Sequence, residues 1–341
     1  GTFDTEMYTQ YAVGVIHQHA SRIRAGAVVG RQEAQPLYLH LEYHVVHIPV
    51  QSPQKYQDRY PHVKDSCRKA HCGMLSAMDD GLGNVTAALQ ATGLWENSII
   101  VVTTDNGGDV NAHGACGANF PLRGGKRSFF AGGIQGVALV HSPSRLPPEV
   151  AGTTFGGLSH SSDWYPTLAR QAGVTDFTNT GPFPVDGVDL WPFLSNATTG
   201  VVKNPHDRLL IAGCRPGTPK DSCQGALFDE GGELKLIVGK QAPATWYPIP
   251  GLAPHNVSQD TDDDVSEVDD CSKAPCLFNL TADPLEKVNL GPTNPELLQK
   301  LLTTFYTLSN VSVPQDPVGR CSVDDLCRIV NATGFFGPFQ P

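Results

Sequence analysis

Residues 98–108 read SIIVVTTDNGG, and this stretch is the strongest indication of the fold class in the sequence. Its first part is rich in β-branched residues without polar alternation, which is typical of a strand buried on both faces of a parallel sheet. The run stops at Asp105 and Asn106, and two glycines follow. Because ligands in open α/β sheets bind beyond the carboxyl ends of the strands, the pattern predicts a site at this strand end.

Asp105 and Asn106 would supply one carboxylate and one amide oxygen, the kind of ligand that Ca²⁺ and Mg²⁺ prefer. Residues 121–126 read PLRGGK and end at Lys126, a compact positive charge that suits an anion. Asp-Asn-Gly-Gly is also a favourable turn sequence, and a strand that ends in a turn needs no ligand. Taken alone, the stretch favours the plain turn.

Composition places the chain among ordinary globular proteins. Its 341 residues suffice for one large or two medium domains, and its formal net charge is −10. Acidic charge argues against non-specific binding to nucleic acid and gives no support for binding to an anionic membrane. No apolar run reaches the length of a membrane-spanning helix. We therefore expect neither nucleic acid nor a membrane span.

The cysteines and the glycosylation sequons indicate an oxidising compartment. Most cysteines lie in pairs close in sequence, at spacings that do not match a zinc pattern. We expect the bridges Cys67–Cys72, Cys214–Cys223, Cys271–Cys276 and Cys321–Cys327, with Cys116 unpaired or bridged to another chain. Sequons occur at Asn84, Asn196, Asn256, Asn279, Asn310 and Asn331. Together these features predict a secreted glycoprotein, although nearness in sequence does not fix which cysteines pair.

Hydrophobic periodicity predicts two long helices before residue 98. The first covers residues 5–24, and its candidate buried positions are Tyr11, Val13, Val15, Ile16 and Ala20. The second covers residues 67–92, where apolar side chains recur at spacings of three and four. Its apolar stripe consists of Met74, Met78, Leu82, Val85 and Leu89. Between the helices, residues 36–41 predict a strand that leads to His47, and a lone histidine there is more often structural than catalytic.

The character of the chain changes near residue 208, which predicts two units at residues 1–207 and 208–341. In the first unit, residues 135–140 predict another buried strand, and Ser161, Ser162 and Asp163 predict a capped helix start. In the second unit, strand-like segments separated by polar loops predict a small antiparallel sheet. These segments are residues 208–212, 225–228, 233–238 and 277–280. Residues 295–308 predict an amphipathic helix that packs on the sheet.

Taken together, the segments resemble the sulfatase family over nearly the whole chain. The resemblance is carried in order by residues 36–53 (PLYLHLEYHVVHIPVQSP), 72–108, 119–133 (NFPLRGGKRSFFAGG), 159–173 (SHSSDWYPTLARQAG) and 277–290 (LFNLTADPLEKVNL). It implies an α/β, alkaline-phosphatase-like sulfatase fold. The main mixed sheet, flanked by helices, would be incomplete in this chain, and a small C-terminal antiparallel sheet with a helix would follow it.

The resemblance also implies roles for four residues. Asp105 and Asn106 match the second half of the family's divalent-metal site, usually calcium. His47 matches the histidine that contacts the sulfate, and Lys126 matches the lysine that reaches the sulfate oxygens. These roles make chemical sense, because hydrolysis of a sulfate ester moves negative charge onto the leaving oxygen, where a cation, a lysine and a histidine can stabilise or protonate it.

Two features of the sequence depart from the family pattern. Sulfatases use a cysteine oxidised to formylglycine within Cys-x-Pro-Ser-Arg, and an N-terminal acidic pair completes their metal site, but no Cys-x-Pro-Ser-Arg occurs here. The family often has Glu-Gly-Gly and then an arginine after the lysine loop, where this chain has Ala131 and Gln135. We expect the chain alone to be inactive.

Two hypotheses account for these departures. In the first hypothesis, the chain is the C-terminal part of a secreted or lysosomal sulfatase that acts on a sulfated glycan or aryl sulfate. An N-terminal sulfatase fragment or chain would be its partner and would supply the formylglycine. The second is a catalytically inactive, sulfatase-like secreted protein with a structural or glycan-binding role. Retention of His47, Asp105, Asn106 and Lys126 favours the first hypothesis.

Overall fold

The computed structural model describes most of the chain but not all of it. The described residues are 3–28, 35–110, 115–177, 184–196, 204–214, 219, 222–242, 244–246, 271 and 273–311. None of their helices is both long enough and apolar enough to cross a membrane.

Two long helices pack against each other in the N-terminal part. Helix α1 covers Asp4–Val28 and helix α3 covers Ser66–Thr92, while the short helix α2, Gln54–Gln57, packs on α3. The side chain of Asp65 caps α3 by accepting from the backbone N–H of Arg68 at 2.7 Å. Both predicted long helices are therefore confirmed, and each is slightly longer than its periodic segment.

The predicted buried faces of these helices are only partly correct. In α1, Ile16 and Ala20 are buried and Val13 and Val15 are half-buried, but Tyr11 is 78% exposed. In α3, Met74 and Leu89 are buried, whereas the three other members of the predicted stripe, Met78, Leu82 and Val85, are half-buried. Within the described residues α1 meets α3 along one narrow face, so the apolar side chains beyond that face stay accessible.

The strand predicted at residues 36–41 is wrong. The structure has no strand there, and residues 35–40 are exposed and belong to no helix or strand. No described strand pairs with this segment. Apolar alternation can mark a segment fit for a sheet, but it does not supply the partner strand.

The strand predicted at residues 98–104 exists as β1, Ile100–Thr103, but its surroundings differ from the prediction. It pairs antiparallel with β2, Ala138–His141, in register from Ile100 opposite His141 to Thr103 opposite Ala138. In the described part of the chain, β1 and β2 form a two-stranded sheet. Neither strand is buried on both faces, since Leu139 is 54% exposed. The β-branched run fixed the extended conformation but not the direction or number of its partners.

The predicted C-terminal antiparallel sheet is confirmed. Its strands follow the order β3, β4, β5 and β6, and every neighbouring pair is antiparallel. Their bounds are Leu209–Ile211, Gly225–Asp229, Leu234–Val238 and Cys276–Asn279. Helix α7, Pro295–Val311, covers one face with Leu301 and Phe305, which pack on alternate strand residues such as Leu236.

The opposite face of this sheet is covered by a residue from the N-terminal unit. Phe130 is completely buried among Ala226, Ile237, Phe278 and their neighbours. The two predicted units, 1–207 and 208–341, therefore share a hydrophobic cluster at this point, and their boundary stays a prediction. Phe130 directly precedes the short helix α4, Ala131–Ile134.

Two further short helices lie between β2 and β3. They are α5, Trp164–Gln171, and α6, Trp191–Leu194. A 3-10 turn over Ser161–Asp163 precedes α5, and the buried Asp163 carboxylate accepts from the backbone N–H of His160 at 2.7 Å. His206 donates from its ring to the same carboxylate at 2.9 Å. These contacts cap the 3-10 turn at His160, whereas α5 itself begins after Asp163 without a side-chain cap, so the predicted capping lies one turn before the helix.

The disulfide pattern corrects one predicted bridge. Cys67 pairs with Cys116 across a Cα–Cα distance of 6.1 Å, so Cys116 is neither free nor bridged to another chain, and Cys72 is a half-buried free thiol. Cys67 and Cys72 both lie on α3, about 7.5 Å apart along its axis, which is too far for a bridge. The Cys214–Cys223 and Cys271–Cys276 bridges form as predicted. Cys321 and Cys327 lie outside the described residues.

Candidate active site

Asp105 and Asn106 form a tight turn where the chain leaves β1. The Asp105 carboxylate accepts from the backbone N–H of Asn106 at 2.8 Å, and the Asn106 amide nitrogen donates to the carbonyl of Gly107 at 2.8 Å. That bond uses the amide NH₂ group, so the amide oxygen remains the atom that a cation would contact. Asp105 is exposed and Asn106 is half-buried.

The donor set of this turn fits part of a site for a hard cation. A carboxylate and an amide oxygen on adjacent residues are suitable ligands for Ca²⁺ or Mg²⁺, but such ions take six or more oxygen ligands. Among the described residues, no group of three His, Cys, Asp or Glu side chains is placed to hold a metal ion. Asp105 and Asn106 could therefore contribute to a metal site that other oxygen ligands complete.

The loop that carries Lys126 lies directly against this turn. The backbone N–H of Lys126 donates to the carbonyl of Gly108 at 3.0 Å. Asn119 ties the two segments together, because its side chain accepts from the N–H of Gly108 at 2.9 Å and donates to the carbonyls of Gly108 and Gly124 at 2.9 and 3.1 Å. The fold thus brings the predicted metal ligands and the predicted anion-binding lysine into one pair of bonded loops.

An ion pair joins the same two loops at their exposed side. Arg127 donates to the Asp109 carboxylate at 3.1 Å. Arg127 also adopts a φ of 79°, in the left-handed region that residues other than glycine rarely occupy. Such backbone strain persists where the surroundings hold a residue in place, and it is frequent at functional sites.

The structure does not join His47 to these loops. His47 is exposed, and its ring nitrogen Nδ1 lies 2.8 Å from the carbonyl oxygen of Ile48. In the described part of the chain, no hydrogen bond or ion pair links its side chain to Asp105, Asn106 or Lys126. Its role in contacting sulfate stays a prediction.

Three residues that support these loops were missed by the sequence analysis. Asn119, Arg123 and Glu286 all lie within segments that carry the family resemblance, but nothing in their spacing assigns them a role. Asn119 bridges the loops, and Arg123 donates to the backbone carbonyl of Glu286 at 2.9 Å. Their position inside those segments was the only sign in the sequence that they could matter. Their contacts could not be predicted because they join residues far apart in the chain.

The described sequons differ in accessibility. Asn84 is exposed on α3, and Asn196 and Asn310 are also exposed. Asn279 is half-buried at the end of β6, where its amide donates to the Glu233 carboxylate at 3.0 Å and accepts from the N–H of Ala282 at 2.8 Å. Asn256 and Asn331 lie outside the described residues. Glycosylation at these positions stays a prediction.

Comparison with known proteins identifies relatives for most of the chain. The family model described as "Sulfatase" matches residues 14–174. Arylsulfatase J from Mus musculus is 31% identical over 330 residues, which cover 92% of this chain and 50% of that protein. Arylsulfatase A from Homo sapiens is 28% identical over 278 residues, which cover 80% of this chain and 48% of that protein. The chain therefore spans about half the length of the curated relatives it matches.

Solved structures show the same fold. The crystal structure of Ps i-CgsB superposes with a TM-score of 0.65 at 24% identity, over 90% of this chain and 55% of that chain. Further structural neighbours are sulfatases, so the predicted alkaline-phosphatase-like α/β fold is confirmed. At these identities the likeness concerns the fold and not the reaction.

Proposed function

Because the chain belongs to the sulfatase family, we propose that the protein of which it forms part hydrolyses sulfate esters. The observation that carries this proposal is the contact between two loops. One loop holds Asp105 and Asn106, and the other holds Lys126, whose backbone donates to Gly108 only two residues beyond Asn106. We expect an anion at this junction to bind the ammonium of Lys126, and a cation there to bind the oxygens of Asp105 and Asn106.

Each residue has a definite part in this proposal. Lys126 binds and orients a sulfate group through its ammonium charge. Asp105 and Asn106 hold Ca²⁺ or Mg²⁺ as two of its ligands, and the bound cation supplies electrostatic stabilisation of the charged ester. His47 contacts the sulfate and donates a proton to the leaving oxygen. Gly107 and Gly108 let the backbone of the two loops come close.

We also propose that an N-terminal sulfatase part completes the site, either in the same protein or as a partner chain. It would supply the formylglycine nucleophile and the remaining metal ligands, since Asp105 and Asn106 are only two of them. Two apolar side chains next to this site, Val137 and Leu139, are 73% and 54% exposed. An exposed apolar sheet surface of this kind favours a covering partner.

The substrate that we propose is a sulfated glycan, as for arylsulfatase B, which removes 4-sulfate from N-acetylgalactosamine. The support is the resemblance of the loop segments to that enzyme, and aryl sulfates would serve as small test substrates. The sequons, the bridges Cys214–Cys223 and Cys271–Cys276, and the family suggest a secreted or lysosomal location.

A catalytically inactive, glycan-binding or structural role is the second candidate. The observation that favours it is the replacement of the family's usual glutamate and arginine by Ala131 and Gln135. Ala131 is buried and Gln135 is exposed, so neither supplies a charge to the loops. Hydrolysis of an aryl sulfate separates the two candidates, because a binding protein would retain the ligand without turnover.

The experiment compares Lys126→Ala and Asp105→Ala with the unchanged protein, produced with its N-terminal part. We expect Lys126→Ala to reduce aryl-sulfate turnover about 100-fold or more, in line with the loss of one charged contact in a transition state. We expect Asp105→Ala to abolish the rise in melting temperature that calcium gives. Asp79→Ala, an exposed aspartate on α3, is the control and keeps both properties. Equal melting temperatures with and without calcium in every protein would contradict the metal assignment.

A further inference from the structure

Both ends of the loop that carries Lys126 are held by the C-terminal unit. At the first end, Arg123 donates from Nε to the carbonyl of Ala244 at 2.8 Å and from Nη1 to the carbonyl of Glu286 at 2.9 Å. At the second end, the backbone N–H of Ala131 donates to the Glu286 carboxylate oxygen Oε2 at 2.7 Å. One residue, Glu286, thus contacts both ends of the loop.

Glu286 is itself fixed in the interior of the protein. It is 0% exposed, and its other carboxylate oxygen, Oε1, lies 2.5 Å from the ammonium nitrogen of Lys235, which is 1% exposed. Burial lowers the pKa of Lys235, so the charged form of this lysine depends on the carboxylate beside it. Glu286 also adopts a φ of 56°, in the left-handed region. A non-glycine residue keeps that conformation only where its surroundings hold it.

The first end of the loop is rigid for a second reason. The guanidinium carbon of Arg123 lies 3.9 Å from the ring centre of Phe130 and 4.6 Å from that of Trp246. The side chain is 2% exposed. Stacking between two aromatic rings leaves a planar guanidinium little freedom to move. Between these two fixed ends, the backbone N–H of Lys126 donates to the carbonyl of Gly108.

We propose that Glu286 is a positioning residue for Lys126, acting through its bond to the N–H of Ala131. The C-terminal sheet would thereby set the position of the lysine charge beside Asp105 and Asn106, without any contact between Glu286 and the substrate. This inference rests on the proposed function, because the part of Lys126 in sulfate binding is proposed there.

A matched pair of variants tests the inference. Glu286→Met and Lys235→Met each break the same buried ion pair, so both destabilise the protein by the mechanism of an unpaired buried charge. Only Glu286→Met also leaves the N–H of Ala131 without its acceptor. The full protein is assayed below both melting temperatures for kcat and KM on an aryl sulfate, and the loop is followed by hydrogen exchange.

We expect Glu286→Met to lower kcat by about 10- to 100-fold, because small displacements of a catalytic group have effects of that size. Amide exchange over residues 123–131 should become faster in this variant than in Lys235→Met. Lys235→Met should keep kcat within about twofold, since Glu286 still holds Ala131 and the loop geometry is retained. Glu286→Gln is the rescue variant, because its amide oxygen can still accept from Ala131, and it should retain a higher kcat than Glu286→Met.

If kcat falls equally in Glu286→Met and Lys235→Met, or falls in neither, the inference is overturned and the ion pair has a purely structural role. If Glu286→Met does not fold, Ala131→Pro removes the same bond from the donor side, at a first helical position that tolerates proline. The same fall in kcat and faster exchange of the neighbouring amides are then expected, and their absence overturns the inference. If the unchanged protein hydrolyses no sulfate ester, the proposed function fails, and the exchange rates still decide the positioning role.

Discussion

The backbone N–H of Gly107 donates to the carbonyl oxygen of Gly133 at 2.9 Å. This bond joins the turn that holds the predicted metal ligands to the segment that follows the lysine loop. The approach is so close that a Cβ atom on Gly107 would lie 1.8 Å from the carbonyl oxygen of Gly132. The glycines after Asn106 therefore serve a tertiary contact, and a turn sequence alone does not account for them.

We expect Gly107→Ala to destabilise the protein by about 1–3 kcal/mol, the usual cost of overpacking. The atom in its way is a backbone oxygen, so no flexible side chain can move aside and one of the two loops must shift. Thermal unfolding measures the effect, and calcium should stabilise this variant less than the unchanged protein.

Gly83→Ala is the matched control, because Gly83 is exposed in α3 and a Cβ there meets nothing within 4 Å. It should stabilise the protein by about 0.5–1 kcal/mol through a better helix propensity. A Gly107→Ala protein that melts at the unchanged temperature and responds normally to calcium would show that the loops do not need this close contact.

The sequence predicted the elements whose signal is local. The recurrence of apolar side chains from Met74 to Leu89 at helical spacing marked α3, and short strand-like segments between polar loops marked β4 and β5. Asp105 and Lys126 were found because a strand end and a glycine-rich loop are visible in sequence, and the resemblance gave them their roles. These signals need only neighbouring residues.

The parts that sequence reasoning missed depend on contacts between distant segments. Cys67 pairs with a cysteine 49 residues away, and no spacing rule selects it over the nearer Cys72. The bond from Ala131 to Glu286 spans 155 residues. The run at β1 was predicted as typical of a parallel sheet, but β1 pairs antiparallel with β2. The side-chain pattern indicates conformation and burial and does not set the direction of the neighbouring strand.

His71 gives the protein a defined sensitivity to acid. It is 8% exposed on α3, and its ring atom Nδ1 is buried without a hydrogen-bond partner among the described residues. Burial, with a smaller contribution from the charge of Arg68, lowers the pKa of His71 from 6.5 to about 4. The folded state then binds fewer protons than the unfolded state between these values. Stability is therefore lost as the pH falls from about 6.5 towards 4.

We expect His71→Leu to remove this part of the pH dependence, which is roughly 2–3 kcal/mol between pH 7 and pH 4. Urea unfolding at a series of pH values measures it. His17→Gln, at an exposed histidine on α1, is the control for replacing a histidine. If His71→Leu and the unchanged protein lose stability in parallel on acidification, the buried neutral histidine is not the cause.

The bridge between Cys67 and Cys116 ties the start of α3 to the segment before the lysine loop. It closes 49 residues, so its removal in Cys116→Ser should cost about 4 kcal/mol by the loop-entropy estimate. Cys72→Ser should change stability little, because Cys72 is a free thiol. A non-reducing peptide map should show the Cys67–Cys116 peptide pair and an alkylated Cys72. A bridge from Cys72 to either cysteine would contradict this pairing.

The central claim is that this chain forms part of a working sulfatase whose nucleophile lies in an N-terminal part. Mass spectrometry with peptide mapping of the native protein, with and without reduction, tests it most directly. We predict a co-purifying peptide in which the cysteine of a Cys-x-Pro-Ser-Arg segment is converted to formylglycine. Another residue at the nucleophile position, or no such N-terminal part at all, would contradict the claim and favour the inactive, glycan-binding alternative.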